Sequence, residues 1–239
     1  MAYVSICGGF VKLASIEELK EFFAVNPFVI SDTHFFHDRV FKEFEPVRQT
    51  FAASREEFDE KMVDVLRKHS PLLHLGDVSI NSKDSEKFHS RIKKVNHWLD
   101  GIPKVLVMGN HDRGGEDLYK AGGWLVVNCG VDLVNNCLYP QTPPFIFHEV
   151  SGQRILFSHE PALINREETP HESDVVKELK NWFLYFCATR NIHGHVHSYT
   201  LKDPVFCNVS VEAMDFCPQR LSHVISRERN DLTGQREER

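Results

Sequence analysis

Residues 104–112 read Lys104-Val105-Leu106-Val107-Met108-Gly109-Asn110-His111-Asp112, an apolar run that stops at a glycine and is followed by an amide, an imidazole and a carboxylate. A short apolar stretch with polar groups at its C-terminal end has the form of a buried parallel strand that delivers side chains to a crevice. Two earlier stretches repeat it. Phe28-Val29-Ile30 ends at Ser31-Asp32-Thr33-His34, and Leu72-Leu73-His74-Leu75 ends at Gly76-Asp77. Helical patterns lie between them. A capping box from Ser54 to Glu57 opens a segment with Phe58, Met62, Val65 and Leu66 on one face, and Phe88, Ile92, Val95 and Leu99 mark another, with Gly101 after it. Near the start, Ser15-Ile16-Glu17-Glu18 has the capping-box pattern, and Ile16, Leu19 and Phe23 predict a helix over 16–25 that Asn26-Pro27 ends. Strand, helix, strand, helix, strand is the alternation that builds a mostly parallel α/β sheet.

From Trp124 the pattern changes. Short β-rich runs (Trp124 to Val127, Val131 to Leu138, Phe145 to Val150, Arg154 to Phe157) are separated by Gly, Pro and Asn, which predicts a second sheet of antiparallel pairs. Ser173 or Asp174 caps a helix whose apolar face holds Val175, Val176, Leu179, Trp182 or Phe183, and Phe186. Phe206 to Val211 reads as one more strand, and Leu221 to Ile225 is too short to assign. No repeat or linker divides the chain. The expectation is a single domain over residues 1–226, with 1–27 an N-terminal extension packed on it and the charge-dense 227–239 a mobile tail.

Composition narrows the function. With 239 residues, 41% hydrophobic and 26% charged, the chain is an ordinary folded protein, which removes disordered and collagen-like classes. Its 28 Lys+Arg stand against 34 Asp+Glu, a net charge of -6, and this disfavours long nucleic acids as partners. No apolar run approaches the ~20 residues of a membrane helix, and the N-terminus lacks the basic start and apolar stretch of a removable leader. A cytoplasmic protein without a membrane partner is therefore expected. The six cysteines form no CxxC pair and read as reduced thiols, so zinc held by sulfur is not expected. The 14 histidines draw attention because several stand beside Asp or Gly at the strand ends.

Five segments concentrate ligand-type side chains: Asp32-Thr33-His34, Gly76-Asp77, Gly109-Asn110-His111-Asp112, Ser158-His159 and Gly194-His195-Val196-His197. C-terminal ends of parallel strands converge on one crevice, so these distant positions can meet. Mixed oxygen and imidazole donors suit divalent transition metals, whereas Ca or Mg favour oxygen almost alone. In D-x-H and H-x-H an extended backbone puts both donors on one face, within reach of a small site. Glycines 76, 109 and 194 permit sharp departures and close approach of metal or phosphate to the chain. Asn110 binds through a neutral amide oxygen, which tempers the negative charge of such a site.

The motifs DTH, GD, GNHD, SH and GHVH, in this order over residues 32–197, resemble those of the calcineurin-like metallophosphoesterases, in particular the small bacterial and viral type. The resemblance implies a four-layer α-β-β-α sandwich, two mixed sheets face to face with flanking helices. It also implies a site for two divalent ions, Mn foremost with Fe, Zn or Ni as options. Carried over residue by residue, it puts Asp32, His34 and His197 on one ion and Asn110, His159 and His195 on the other, with Asp77 bridging. His111 matches the histidine that contacts phosphate and protonates the leaving oxygen, and Asp112 is then expected to orient its imidazole. The implied activity is hydrolysis of a phosphodiester of a small molecule or nucleotide by a metal-activated hydroxide. The Asp-Arg-Gly that follows the GD motif in Ser/Thr protein phosphatases is missing from Val78-Ser79-Ile80-Asn81, which argues against a phosphoprotein substrate.

A phosphomonoesterase with the same site, a nuclease and a metal-binding scaffold without catalysis are the other readings. His37 touches substrate, shapes the rim, or is a half-buried loop histidine. Arg39 and Arg113 are the cations nearest the motifs, able to bind phosphate bidentately or to sit solvated on the surface. His74 and His193 are expected to orient neighbours by hydrogen bonds, while Trp98, Trp182 and Phe186 belong to the core. His148 and His171 carry no signal.

Overall fold

The computed structural model describes residues 3–6, 9–12, 14–163, 173–199 and 201–226, with side chains from Ile16 onward. His171 and the tail 227–239 lie outside the described residues. β1 (Tyr3–Ile6) and β2 (Gly9–Lys12) form an antiparallel pair ahead of α1 (Ala14–Ala24). Then follow β3 (Phe28–Ile30), a π-helical turn (Val40–Phe44), α2 (Arg48–Phe51), α3 (Arg55–Lys68), β4 (Leu72–His74), α4 (Ser85–Trp98), β5 (Lys104–Val107), α5 (Glu116–Ala121) and β6 (Trp124–Val127). The second half holds β7 (Gly130–Asp132), β8 (Cys137–Tyr139), β9 (Phe145–Val150), β10 (Gln153–Ser158), α6 (Asp174–Tyr185), β11 (Arg190–His193), β12 (Phe206–Asn208), β13 (Gln219–Arg220) and α7 (Leu221–Ser226).

Five strands form one sheet in the order β13-β3-β4-β5-β6, and six form the other in the order β12-β11-β10-β9-β7-β8. Between the sheets lies a core of alternate strand residues, Val29, Leu73, Val105 and Val127 against Ile146, Ile155, Phe157 and Ile192. Their neighbours on the strands point outward. Ile30, Leu72 and Leu106 pack under α3, α4 and α5, and Phe145, Phe147 and Leu156 pack under α6. The central strands are thus covered on both faces, which explains the unbroken apolar runs and gives the four-layer sandwich. α1 adds Ile16, Leu19 and Phe23 to the inter-sheet core.

Four expectations need correction. β6 pairs in parallel with β5 in the first sheet, so the change of sheet comes at Gly130, not Trp124. The run from Val131 to Leu138 is a hairpin, β7 and β8, broken at Asp132 because its carboxylate accepts hydrogen bonds from the backbone N–H groups of Val134 and Asn135. α1 begins at Ala14, which places Ser15 inside its first turn instead of at the cap. β12 ends at Asn208, after which Val209–Val211 crosses to the first sheet: Ser31 N–H donates to Val209 O and Val211 N–H to Ser31 O. The caps at Ser54 and Ser173 form as expected, each hydroxyl accepting from the backbone N–H three residues on.

Register positions the site. Ile30 pairs with His74 and His74 with Leu106, so Asp32, Asp77 and Asn110 leave the first sheet at one edge. Phe157 pairs with Ile192, so His159 and His195 leave the second sheet together.

Candidate metal centre

After β3 the chain does not stay extended. Asp32 and His34 take φ of 60° and 48°, Asp77 57°, and His195 and His197 70° and 51°, all in the left-handed region that costs strain outside glycine. The D-x-H and H-x-H pairs therefore converge through left-handed turns at both donor positions, a correction to the extended geometry expected for that spacing. Backbone bonds hold the turns. Asp32 N–H donates to Gly76 O and His34 N–H to Asp77 O, lacing the first turn to the second. The glycines serve chain against chain: a Cβ on Gly76, whose φ is +96°, would meet His159 Nδ1 at 2.6 Å, and one on Gly194 would meet Asp32 Oδ2 at 2.3 Å.

Two carboxylates are anchored in the same way. Asp32 Oδ2 accepts from His195 N–H and Ser210 Oγ, both at 2.9 Å, while its buried Oδ1 has no hydrogen-bond partner. Asp77 Oδ1 accepts from His111 N–H at 2.8 Å, and its Oδ2 lies 3.5 Å from His34 Nε2 and 3.4 Å from His159 Nε2. One oxygen of each is fixed by the chain, and the other faces imidazole nitrogens. Asp32 Oδ1 stands 3.7 Å from His34 Nε2 and 4.0 Å from His197 Nε2.

The histidine tautomers fit cation binding. His159 Nδ1 lies 2.8 Å from Leu75 O, which can only accept, so Nδ1 donates and Nε2 faces inward. Around that Nε2 stand Asn110 Oδ1 at 3.1 Å, His195 Nδ1 at 3.3 Å and Asp77 Oδ2. These donors of electron pairs have no complement except a positive species. Burial alone would lower the His159 pKa, but Asp77 and then Asp32 push it up to about 10, so this place favours positive charge. Burial would raise Asp32 and Asp77, yet the surrounding histidines hold both carboxyls below the usual range. His197 Nδ1 donates to Glu212 Oε1 at 3.3 Å, which fixes its ring and leaves Nε2 toward Asp32. Burial opposes charge on His197, but Glu212 and Asp32 raise its pKa overall. Orphaned buried atoms at Asp32 Oδ1 and His34 Nε2, and donor sets Asp32-His34-His197 and Asp32-Asp77-His159 each within 4.8 Å, fit divalent cations.

Residues 27–199 match the calcineurin-like phosphoesterases. The chain belongs to that family. Among solved structures, this family member is similar to a protein of unknown function from Aquifex aeolicus, at 25% identity and a TM-score of 0.50, over 83% of this chain and 96% of the other. It is also similar to the Pseudomonas putida nuclease MPE (16% identity, TM-score 0.35, 71% and 60% of the chains) and to a novel archaeal phosphodiesterase (13%, 0.35, 77% and 81%). No curated protein matches. As a calcineurin-like phosphoesterase it is a metal-binding hydrolase of phosphate esters, and none of its described helices is long and apolar enough to cross a membrane.

Asp32, His34, Asp77, Asn110, His111, His159, His195 and His197 all come together in this phosphoesterase. His37 joins the rim, its ring 5.4 Å from that of His34 and 5.9 Å from that of His111. Its Nδ1 accepts from Val40 N–H, and burial, with the nearby histidines adding to it, lowers its pKa to about 4. Arg39 is not at the centre; it is exposed, pairs with Glu43 at 3.1 Å and lies over Phe44. Arg113 is exposed and lines a hollow beside Asn110.

Asp112 does different work from the orientation of His111. Its carboxylate accepts from Asp77, Val78 and Gly109 N–H groups and from Tyr119 Oη, so it ties the two turns together, and Asn81 Oδ1 is the polar atom beside the His111 ring, at 3.4 Å from Nδ1. Burial, reinforced by the Asp77 charge, raises Asp112 to about 6. His74 Nε2 bonds Thr33 Oγ1 and His193 Nδ1 bonds Gly194 O, in the orienting roles expected of them. Two functional residues escaped the sequence. Glu212 follows the predicted strand end at Val211, the same signal that marked the candidate ligands. Arg48 carries none: fully buried, it bonds Glu212 Oε1, Asp32 O and Thr33 O, a convergence that only tertiary structure creates.

Proposed function

We propose that this protein is a dinuclear metal-dependent phosphoesterase that hydrolyses a phosphodiester of a small molecule or nucleotide. Asp32, His34 and His197 would hold one ion, Asn110, His159 and His195 the other, and Asp77 both, with Mn²⁺ the foremost candidate. The observation that carries the reading is Asp77 Oδ2, poised between His34 Nε2 at 3.5 Å and His159 Nε2 at 3.4 Å while its other oxygen is tied to the chain. When bound, the ions supply Lewis acidity, neutralising charge on phosphoryl oxygens and ionising a water. The chain supplies position and protons. His111, part-exposed with Nε2 4.0 Å from Asp77 Oδ2, stands where it can give a proton to the departing oxygen, and His37 offers a second ring to the phosphate. Arg48 and Glu212 keep the first ligand set rigid.

The test is a panel of mono-, di- and cyclic phosphate esters assayed with Mn²⁺ and with EDTA. Turnover that EDTA abolishes is expected, faster on bis(p-nitrophenyl) phosphate than on p-nitrophenyl phosphate; the reverse order would make it a monoesterase, and no turnover would leave a scaffold. His111→Ala is expected to lower kcat by about 10²–10⁴-fold with ion content retained. Near-normal rates on several esters in that variant would remove His111 from the mechanism.

A further inference from the structure

A hollow of about 390 Å³ opens beside the metal centre, within the roughly 300–1,000 Å³ range of small-molecule sites. Met108, Gly109, Pro143, Pro144 and Val175 line it, together with the exposed Arg113. A second, much smaller hollow of about 10 Å³ shares these residues and borders Asn110 and His159, so the larger hollow lies next to two of the proposed ion ligands. Among the described residues Arg113 makes no hydrogen bond or ion pair, and its guanidinium is available to an incoming group.

Charge decides what fits. Against the single guanidinium of Arg113 the hollows present three half-buried carboxylates, Glu116, Glu160 and Glu178, with the polar side chains of Asn128 and Gln141 between them. A chain of phosphates would face three carboxylates against one guanidinium, a net like charge, whereas hydroxyl groups find acceptors, and Pro143, Pro144 and Val175 offer apolar faces to a ring. Resting on the phosphoesterase reading of the centre, we propose that this hollow receives the alcohol portion of a substrate with one phosphate, a compact, uncharged, hydroxyl-bearing group of nucleoside size. Selectivity for that group lies in Arg113 and the α6 wall, not in the ion ligands.

Two diesters with a common leaving group test this: the p-nitrophenyl ester of thymidine 5′-monophosphate and methyl p-nitrophenyl phosphate, each with Mn²⁺. The protein is expected to favour the thymidine ester in kcat/KM by at least about tenfold. Arg113→Ala, on an exposed side chain whose loss does not threaten folding, and Val175→Trp, which fills the hollow, are each expected to cut that preference at least about fivefold, mainly through KM. Equal kcat/KM for both esters, or an undiminished preference in both variants, would overturn the hollow's role while leaving the hydrolase intact. Faster turnover of an oligonucleotide than of the thymidine ester would overturn the single-phosphate substrate class. Absence of EDTA-sensitive turnover on either ester would instead overturn the phosphoesterase reading, and this inference with it.

Discussion

The strands of the first sheet have two ends, and they are built differently. At the C-terminal ends of β3 and β4, and in the turn after β11, five ligand-type residues accept left-handed backbone, the buried Asp32 Oδ1 is left unpaired, and the His34 ring stacks on that of His197. At the N-terminal ends lies a larger hollow, about 540 Å³, lined by Asn96, Asp100, Pro103 and Lys104. There the buried ammonium is satisfied: Lys104 Nζ donates to Leu99 O and Ile102 O and lies over Trp124. Size alone would choose the wrong end. Strain combined with buried donors that lack partners marks the end where the fold holds energy in reserve for a ligand, because such an arrangement persists only when something else repays it.

The comparison can be broken most directly at the shared carboxylate. Asp77→Asn keeps the shape and tolerates the left-handed backbone, yet removes the charge between the two donor sets. Both ions are expected to be lost together and turnover to fall to background; elemental analysis showing full occupancy would remove the bridge. Next in size is Glu212→Gln. Affinity for the ion held by His197 is expected to weaken about 10–100-fold. Stability is expected to fall by about 3–5 kcal/mol, because Arg48 is left buried without its countercharge. A Mn²⁺ titration and a urea midpoint measure the two effects.

Asp59 supports the strained edge from α3 by accepting the Phe36 N–H, and burial raises its pKa to about 6 although Arg55 opposes the rise. A folded value above the ordinary ~3.9 stabilises fully only below that pH and is lost as pH climbs toward 6. Relative to Asp59→Asn, the wild-type protein is expected to lose on the order of 1–3 kcal/mol between about pH 4 and 6, read from denaturant midpoints. A parallel pair of curves would show that Asp59 does not titrate in this range. The smallest effect belongs to the other end of the sheet. Lys104→Met is expected to cost about 1–2 kcal/mol for the carbonyls left without a donor, with ion content and turnover unchanged. Lost turnover with intact ion content would mean that both ends serve the reaction.

Legibility followed the range of the forces. The helices α3, α4 and α6, the caps of α3 and α6 and the short apolar strands could be read because apolar periodicity and capping are local. The eight residues of the centre could be read because each stands at the end of such a strand. What failed was what depends on partners far along the chain: β6 joined the first sheet because β5 offered it a parallel edge, and Asp112 turned to backbone N–H groups of the Asp77 turn and of its own Gly109 instead of to its neighbour His111.

The sequence by itself determined the inventory: five polar strand ends, a Gly-Asn-His-Asp turn, and enough apolar surface to bury two sheets. Tertiary structure decided how those donors meet, through left-handed turns laced to one another and held by the Arg48–Glu212 pair, 164 positions apart. Side-chain chemistry is written residue by residue, but the placement of one charge beside another is fixed only once strand register has brought their loops to a common edge.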